Sequence, residues 1–207
     1  MKENLKVIAR AILAGIMISL GGTIYLALEN KMLGAFLFSI GLFSICVNGY
    51  NLYTGKIGYV FDNKPKYLIE LGITLLGNLI GTGGCGYLLF LTRSGDKIRK
   101  AASTICEIKL DDNLLSIFIL SVFCGIIMYL AVDLYKKLTD FGKYMGIFMG
   151  ITVFILAGFE HCVANMYYFS VANMWEWKTV LYVLVMVAGN SVGSILLALG
   201  IKFGLKK

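Results

Sequence analysis

Long apolar runs separated by short polar connections fill this sequence from end to end. They cover about 7–28, 33–48, 67–92, 114–135, 144–158 and 179–201. A helix needs about 20 apolar residues to cross a bilayer, so the pattern predicts an all-α membrane protein with six transmembrane helices. Two runs are irregular. The second meets the stretch NGYNLYTGK at 48–56, and the fifth meets GFEHCVANMYY at 158–168. Glycine followed by polar residues at that depth predicts a break in the helix, and irregular backbone survives there only where it lines a cavity or is buried in protein. The polar connection at 93–113 is expected to hold a short helix. The first run follows Lys2, Lys6 and Arg10 as a signal peptide would, yet no small-residue cleavage site stands after it, so it reads as a retained span.

The pattern repeats. LLGNLIGTGG in the third run and VAGNSVGSIL in the sixth share Gly-Asn-x-x-Gly, with Gly77, Asn78 and Gly81 matching Gly189, Asn190 and Gly193. In the second and fifth runs, Gly49, Tyr50 and Asn51 match Gly158, Phe159 and Glu160 as glycine, aromatic, polar. Both matches in the same order predict two halves of three spans, about 1–92 and 114–207, within one integral domain over 1–207. Three is odd, so the second half is inverted relative to the first. Inverted repeats with helices interrupted at matching positions point to a path near the midplane. The paired glycines also have the plainer reading of letting helices pack closely.

The chemistry concentrates at the two breaks. Glu160, His161 and Asn165 stand at the second, and ionisable groups in a span are costly and mark functional sites. Histidine changes charge most readily near neutral pH. Glu160 is expected to hold the broken backbone by accepting its free amide protons. At the first break, the Thr54 hydroxyl faces the histidine from the opposite half, or else caps its own loop. Phe38, Leu42 and Phe154 precede the breaks. If they face the path they form constrictions that resist bare ions.

Composition narrows the alternatives. The chain is 58% hydrophobic and 15% charged, and its net charge of +7 comes from lysines gathered at span ends, which suits membrane topology rather than nucleic acid. Lys2, Lys6, Arg10, Lys56, Lys64, Lys66, Lys136, Lys137, Lys143, Lys202, Lys206 and Lys207 fall on one side, and the remaining seven of nineteen on the other. That bias places both termini in the cytoplasm. The five cysteines lack paired spacing, so neither a disulfide framework nor a zinc site is expected. One histidine is too few ligands for a metal, and no nucleophile has a neighbouring base. No cofactor and no enzyme activity are predicted.

The Gly-Phe-Glu-His-x-x-Ala-Asn-Met run at 158–166, the loop GYNLYTG and the paired Gly-Asn-x-x-Gly segments resemble the formate/nitrite transporter family, which includes hydrosulfide channels. The resemblance covers essentially the whole chain. It implies an aquaporin-like fold in a homopentamer with one pore per protomer, in the plasma (inner) membrane of a prokaryote in contact with lipid. It makes His161 the central pore histidine and Thr54 the loop threonine that faces it. Phe38, Leu42, Leu52 and Phe154 become constriction residues, and Lys109 a vestibule lysine that attracts anions. The chain departs from the family at Asn51, where an acidic residue is usual, at the bulky Tyr50, at Tyr53 in place of phenylalanine, and at Gly125 in place of an asparagine.

The function these features imply is passage of a small monovalent anion of a weak acid, such as formate, nitrite or hydrosulfide, aided by protonation near His161. A proton-coupled carrier of a small monocarboxylate shares the same motifs. A neutral-solute channel of the water and glycerol type fits less well, because its Asn-Pro-Ala signatures are missing and the only proline is Pro65.

Overall fold

A computed structural model describes residues 2–204 of the chain, and Lys206 and Lys207, counted among the basic residues above, lie outside them. Every apolar run becomes helix. The elements are α1 (Lys2–Ala27), α2 (Lys31–Asn48), a short α3 (Tyr53–Lys56) leading into a 3₁₀ helix (Ile57–Asp62), α4 (Tyr67–Leu89), α5 (Gly95–Asp111), α6 (Leu114–Lys137), α7 (Gly142–Leu156), α8 (Cys162–Ala172) and α9 (Trp177–Gly204). Side chains mark some starts: Asn30 accepts from the Leu33 N–H ahead of α2, and Asn113 from the Ser116 N–H ahead of α6.

Helices α1, α2, α4, α6 and α9 are long and apolar enough to cross a membrane, and α7 is a shorter apolar helix of 15 residues. At 1.5 Å per residue α7 reaches about 22 Å, short of a hydrocarbon core of about 30 Å. The outward faces are apolar: Leu20, Ile40, Leu76, Ile80, Phe123, Leu184 and Leu196 are all exposed. The polar side chains of mid-helix positions turn inward instead, with Asn78, Thr82, Ser121, Asn190 and Ser194 fully buried. A chain with greasy outside and hydrogen-bonded polar inside is built for lipid.

The contacts fall into two similar groups. Helix α1 lies against α4 and α2, and α6 against α9 and α7. The short helices cross between the groups, α8 onto α4 and α1, and α3 with its 3₁₀ extension onto α6 and α9. Close approach is set by glycine: a Cβ on Gly81 would run into the Ile12 carbonyl oxygen of α1, and one on Gly193 into the Val122 carbonyl oxygen of α6.

The connection at 93–113 is more ordered than its polarity predicts. It is a 17-residue helix, α5, that turns Ile98, Ala102 and Cys106 inward against the core and leaves Lys97 and Lys100 exposed. Those three positions recur at helical spacing, and this amphipathic stripe brings Lys109, in the last turn, to the site described next.

Candidate functional site

Both short helices begin after the same local device. Helix α2 ends at Gly49, whose φ is 66°, and the chain beyond α7 turns at Gly158, whose φ is 70°. This left-handed backbone costs an L side chain energy and glycine none. The next amide then reaches back five residues, Tyr50 N–H to the Ile45 carbonyl at 3.0 Å and Phe159 N–H to the Phe154 carbonyl at 2.9 Å. These bonds close the helix ends in the manner of a Schellman motif. One residue on, Asn51 N–H donates to the Arg10 carbonyl at 3.2 Å, and Glu160 N–H to the Leu120 carbonyl at 3.4 Å.

Two buried amide side chains satisfy what is left. Asn78 of α4 accepts from the Tyr53 N–H at 2.9 Å, and its Nδ2 donates to the carbonyls of Asn51 (2.9 Å) and Ala11 (2.8 Å). Asn190 of α9 accepts from the Cys162 N–H at 2.9 Å, and its Nδ2 donates to the carbonyls of Glu160 and Ser121, both at 2.8 Å. The two sets of contacts correspond bond for bond. The paired Gly-Asn-x-x-Gly segments carried this signal, and packing glycines alone do not require the asparagine.

The two starts meet. Thr54 Oγ1 lies 2.9 Å from His161 Nε2, and both residues are buried. His161 is also the residue that caps α8, where its Nδ1 accepts from the Ala164 N–H at 3.0 Å. That acceptor role leaves Nδ1 without a proton, so the neutral ring carries its proton on Nε2 and donates it to Thr54. The Thr54 hydroxyl keeps its own proton for a further acceptor.

Apolar side chains close around this pair. Phe154 stacks on the His161 ring with centroids 5.6 Å apart, and Phe38 meets Phe154 edge-on at 6.3 Å. Phe38, Leu42, Leu52 and Phe154 are all buried. Cavities approach from two directions. One of about 230 Å³ is lined by Leu42, Asn51, Leu52, Gly55 and Lys56, among others. The other, of about 140 Å³, is lined by Lys109, Phe154, Gly158, His161 and Asn165, among others. They share no lining residue; His161 lines the second, and Leu52 and Gly55, beside Thr54 in the chain, line the first.

Glu160 has a different role from the one expected. Among the described residues its carboxylate takes no backbone amide; Lys109 Nζ donates to Oε1 at 2.7 Å and to Oε2 at 2.6 Å, and Asn165 Nδ2 donates to Oε2 at 2.8 Å. Asn165 also donates to the His161 carbonyl at 3.0 Å, while its own Oδ1 is buried without a partner among the described residues. The side chains of Lys109 and Glu160 are only 13% and 5% exposed. Removing one partner of such a pair leaves a buried charge at a cost of about 3–5 kcal/mol. Lys109→Met is therefore expected to lower the melting temperature of the detergent-purified protein sharply. The double variant Lys109→Met/Glu160→Gln should recover most of the loss, and a purely additive double variant would contradict the pairing.

The sequence profile of the formate/nitrite transporter family matches residues 1–203. The chain belongs to the formate/nitrite transporter family. Its place among transporters and channels separates it from enzymes, as expected from the sequence. The chain is 28% identical to the formate-nitrite transporter of Plasmodium falciparum over 97% of its own length and 78% of that protein's. It is 32% identical to the uncharacterized transporter YrhG of Bacillus subtilis, over 67% of the chain and 56% of that protein, and 24% identical to the formate channel FocB of Escherichia coli, over 80% and 66%. Two solved structures share its fold at 22% identity: a pentameric formate channel with formate bound (TM-score 0.75, covering 99% of this chain and 96% of that one) and an FNT family ion channel (TM-score 0.83, covering 97% and 90%).

As a formate/nitrite transporter family member, the chain departs from the expected pattern in ways the structure explains. Gly125 packs against the backbone carbonyl of Asn190, where a Cβ would collide, much as Gly15 packs against that of Asn78. Gly125 is thus a packing glycine of α6, with no room for an asparagine side chain. Tyr53 uses the hydroxyl that phenylalanine lacks to reach Ser191 Oγ at 2.9 Å. Asn51 accepts from Lys56 Nζ at 3.0 Å and donates to the Val7 carbonyl at 3.2 Å, so an amide serves there in two bonds at once.

Proposed function

We propose that the protein is a transmembrane channel for small monovalent anions of weak acids, with formate, nitrite and hydrosulfide as the candidate substrates. In this reading the chain is one integral channel domain of two three-span halves, about 1–92 and 114–207, related as an inverted, aquaporin-like repeat. Helices α2 and α3 form one interrupted span and α7 and α8 the other. Both termini are cytoplasmic, and the protein assembles as a homopentamer with one pore per protomer. The formate channel that shares its fold is pentameric, which supports that assembly.

The observation that carries the proposal is the Thr54–His161 hydrogen bond. It joins the two breaks at 2.9 Å, inside a shell of apolar side chains, with a cavity beside each break. A full charge crossing Phe38, Leu42, Leu52 and Phe154 loses its hydration and gains little in return. A weak acid avoids that barrier by crossing with its proton. The site offers what the acid needs: the Thr54 hydroxyl, itself receiving the His161 Nε2–H, as a donor for its oxygens, and Asn165 Oδ1, buried and unpartnered among the described residues, as an acceptor for its O–H. His161 serves as a fixed donor here. A second proton on its ring would sit on Nδ1 and point at the Ala164 N–H, losing the cap of α8. The proton that crosses with the anion therefore comes from water in the cavities.

The test is flux into liposomes by stopped flow, comparing formate, nitrite, hydrosulfide, acetate and lactate over a pH series against protein-free vesicles. Above the pKa of the acid, the protonated fraction changes about tenfold per pH unit. The protein-dependent flux of the true substrate is expected to rise steeply as pH falls. A flux independent of pH for every solute would overturn the mechanism, and counterflow would assign a carrier instead of a channel.

A further inference from the structure

The two cavities differ in charge, and the difference is not the one that the resemblance implies. At the second break Lys109, which lines the cavity, is matched by both oxygens of Glu160, so its charge is balanced by a carboxylate within hydrogen-bond distance. At the first break the counterpart of Glu160 in the repeat is Asn51, an amide. Two ammonium groups line this cavity, Lys56 and Lys136, and among the described residues one carboxylate reaches either of them. That carboxylate is Glu70, 2.6 Å from Lys56 Nζ. Asn51 Oδ1 takes a second proton of Lys56 at 3.0 Å, leaving the third without a hydrogen-bond partner among the described residues, since an ammonium has three.

Lys136 has no carboxylate within ion-pair distance among the described residues. Its Nζ lies 3.6 Å from the centroid of the Tyr59 ring. The acid nearest in sequence, Asp133, is turned to Lys137 at 2.7 Å and receives the Tyr59 hydroxyl at 3.3 Å. The floor of the cavity is apolar, with Leu42, Ile45, Leu52 and Val132. A surplus positive charge above an apolar floor, in a space of about 230 Å³, attracts an anion and leaves room for one small ion with several waters, each filling about 30 Å³.

We infer that the first-break cavity is a binding site for a small monovalent anion, held by Lys136 and the third proton of Lys56, and that the permeating anion is collected there rather than at Lys109. This rests on the anion-channel reading above. A lysine ammonium is a compact point charge that suits small anions of varied shape. The Lys56–Glu70 pair, with side chains 25% and 34% exposed, is weak enough to open as the anion arrives.

Cys46 lines the same cavity, which allows a test that does not involve transport. Of the other cysteines, Cys106, Cys124 and Cys162 are buried and Cys85 can be replaced by serine. In the Cys85→Ser protein, Cys46 is titrated with two methanethiosulfonates of similar size, one carrying a sulfonate and the other a trimethylammonium. The same thiolate attacks the sulfur of either reagent and displaces methanesulfinate, so the ratio of their rates, each taken relative to its rate with a small thiol in solution, reports the local potential. The anionic reagent is expected to react about tenfold faster. Lys136→Met should bring the ratio close to one, Lys56→Met should lower it partway, and Lys136→Arg should preserve it. Equal rates in the parent, a ratio unmoved by Lys136→Met, or a cysteine inert to both reagents would each overturn the inference. In liposomes Lys136→Met should raise the half-saturating anion concentration several-fold from the first-break side only, with the plateau flux retained. If no anion is transported at all while the reagent ratio stands, the channel reading fails and the binding site survives.

Discussion

Replacing His161 by asparagine should cut protein-dependent anion flux by about ten- to a hundredfold while leaving the protein folded. Asparagine is among the best residues for starting a helix, so the Ala164 N–H that His161 Nδ1 now caps keeps an acceptor. What disappears is the Nε2–H donated to Thr54 at 2.9 Å and the ring stacked on Phe154. A buried polar group left without its hydrogen-bond partner costs about 1–3 kcal/mol, and each 1.4 kcal/mol in a barrier is about tenfold in rate. Stopped-flow flux into liposomes, paired with a thermal melt in detergent, separates the two effects. His161→Phe is the harsher variant because it removes the cap as well as the donor. Flux and pH profile unchanged in His161→Asn, with an unchanged melt, would remove the histidine from the pathway.

The second large effect is on stability, at positions that touch no solute. Asn78→Leu should destabilise the protein by about 3–5 kcal/mol, the upper range for single substitutions. Leucine fills the space but strands the Tyr53 N–H and the Asn51 carbonyl in the interior, along with the bond to Ala11. Each stranded polar group costs about 1–3 kcal/mol. Asn190→Leu should cost a similar amount, because the Cys162 N–H and the carbonyls of Glu160 and Ser121 lose the same three bonds. Asn78→Asp tests the cause. It keeps the acceptor for Tyr53 and loses both donors, so its melting temperature should also fall well below that of the unaltered protein. A melt for Asn78→Leu equal to the parent would show that the loop is held by packing alone.

Much of the architecture was legible before any coordinates. Hydropathy is a local property, and the boundaries of α1, α2, α4, α6 and α9 fall within a few residues of the apolar runs. The positions of Gly49 and Gly158 were legible too, since glycine next to polar residues inside such a run has few other uses. The family was legible from the run at 158–166. The polar connection before Asn113 is less legible in the sequence. The buried stripe of α5 is only Ile98, Ala102 and Cys106, too sparse to separate a 17-residue helix from a loop with a turn of helix in it.

What the sequence by itself determined were the features set by neighbours along the chain: which long apolar segments are helical, and where glycine and polar residues end them. Partnership was decided only by the tertiary structure. Asn78 and Asn190 stand 25 and 28 residues from the amides they receive, and Glu160 takes a lysine 51 residues away rather than its own loop. Nothing local selects these partners. A polar group held away from water must find a bond somewhere, and only the folded chain determines which donor or acceptor is within reach. The same holds for charge. Lys109 and Lys136 look alike in sequence, and packing alone gives one a buried carboxylate and leaves the other facing a cavity without one among the described residues.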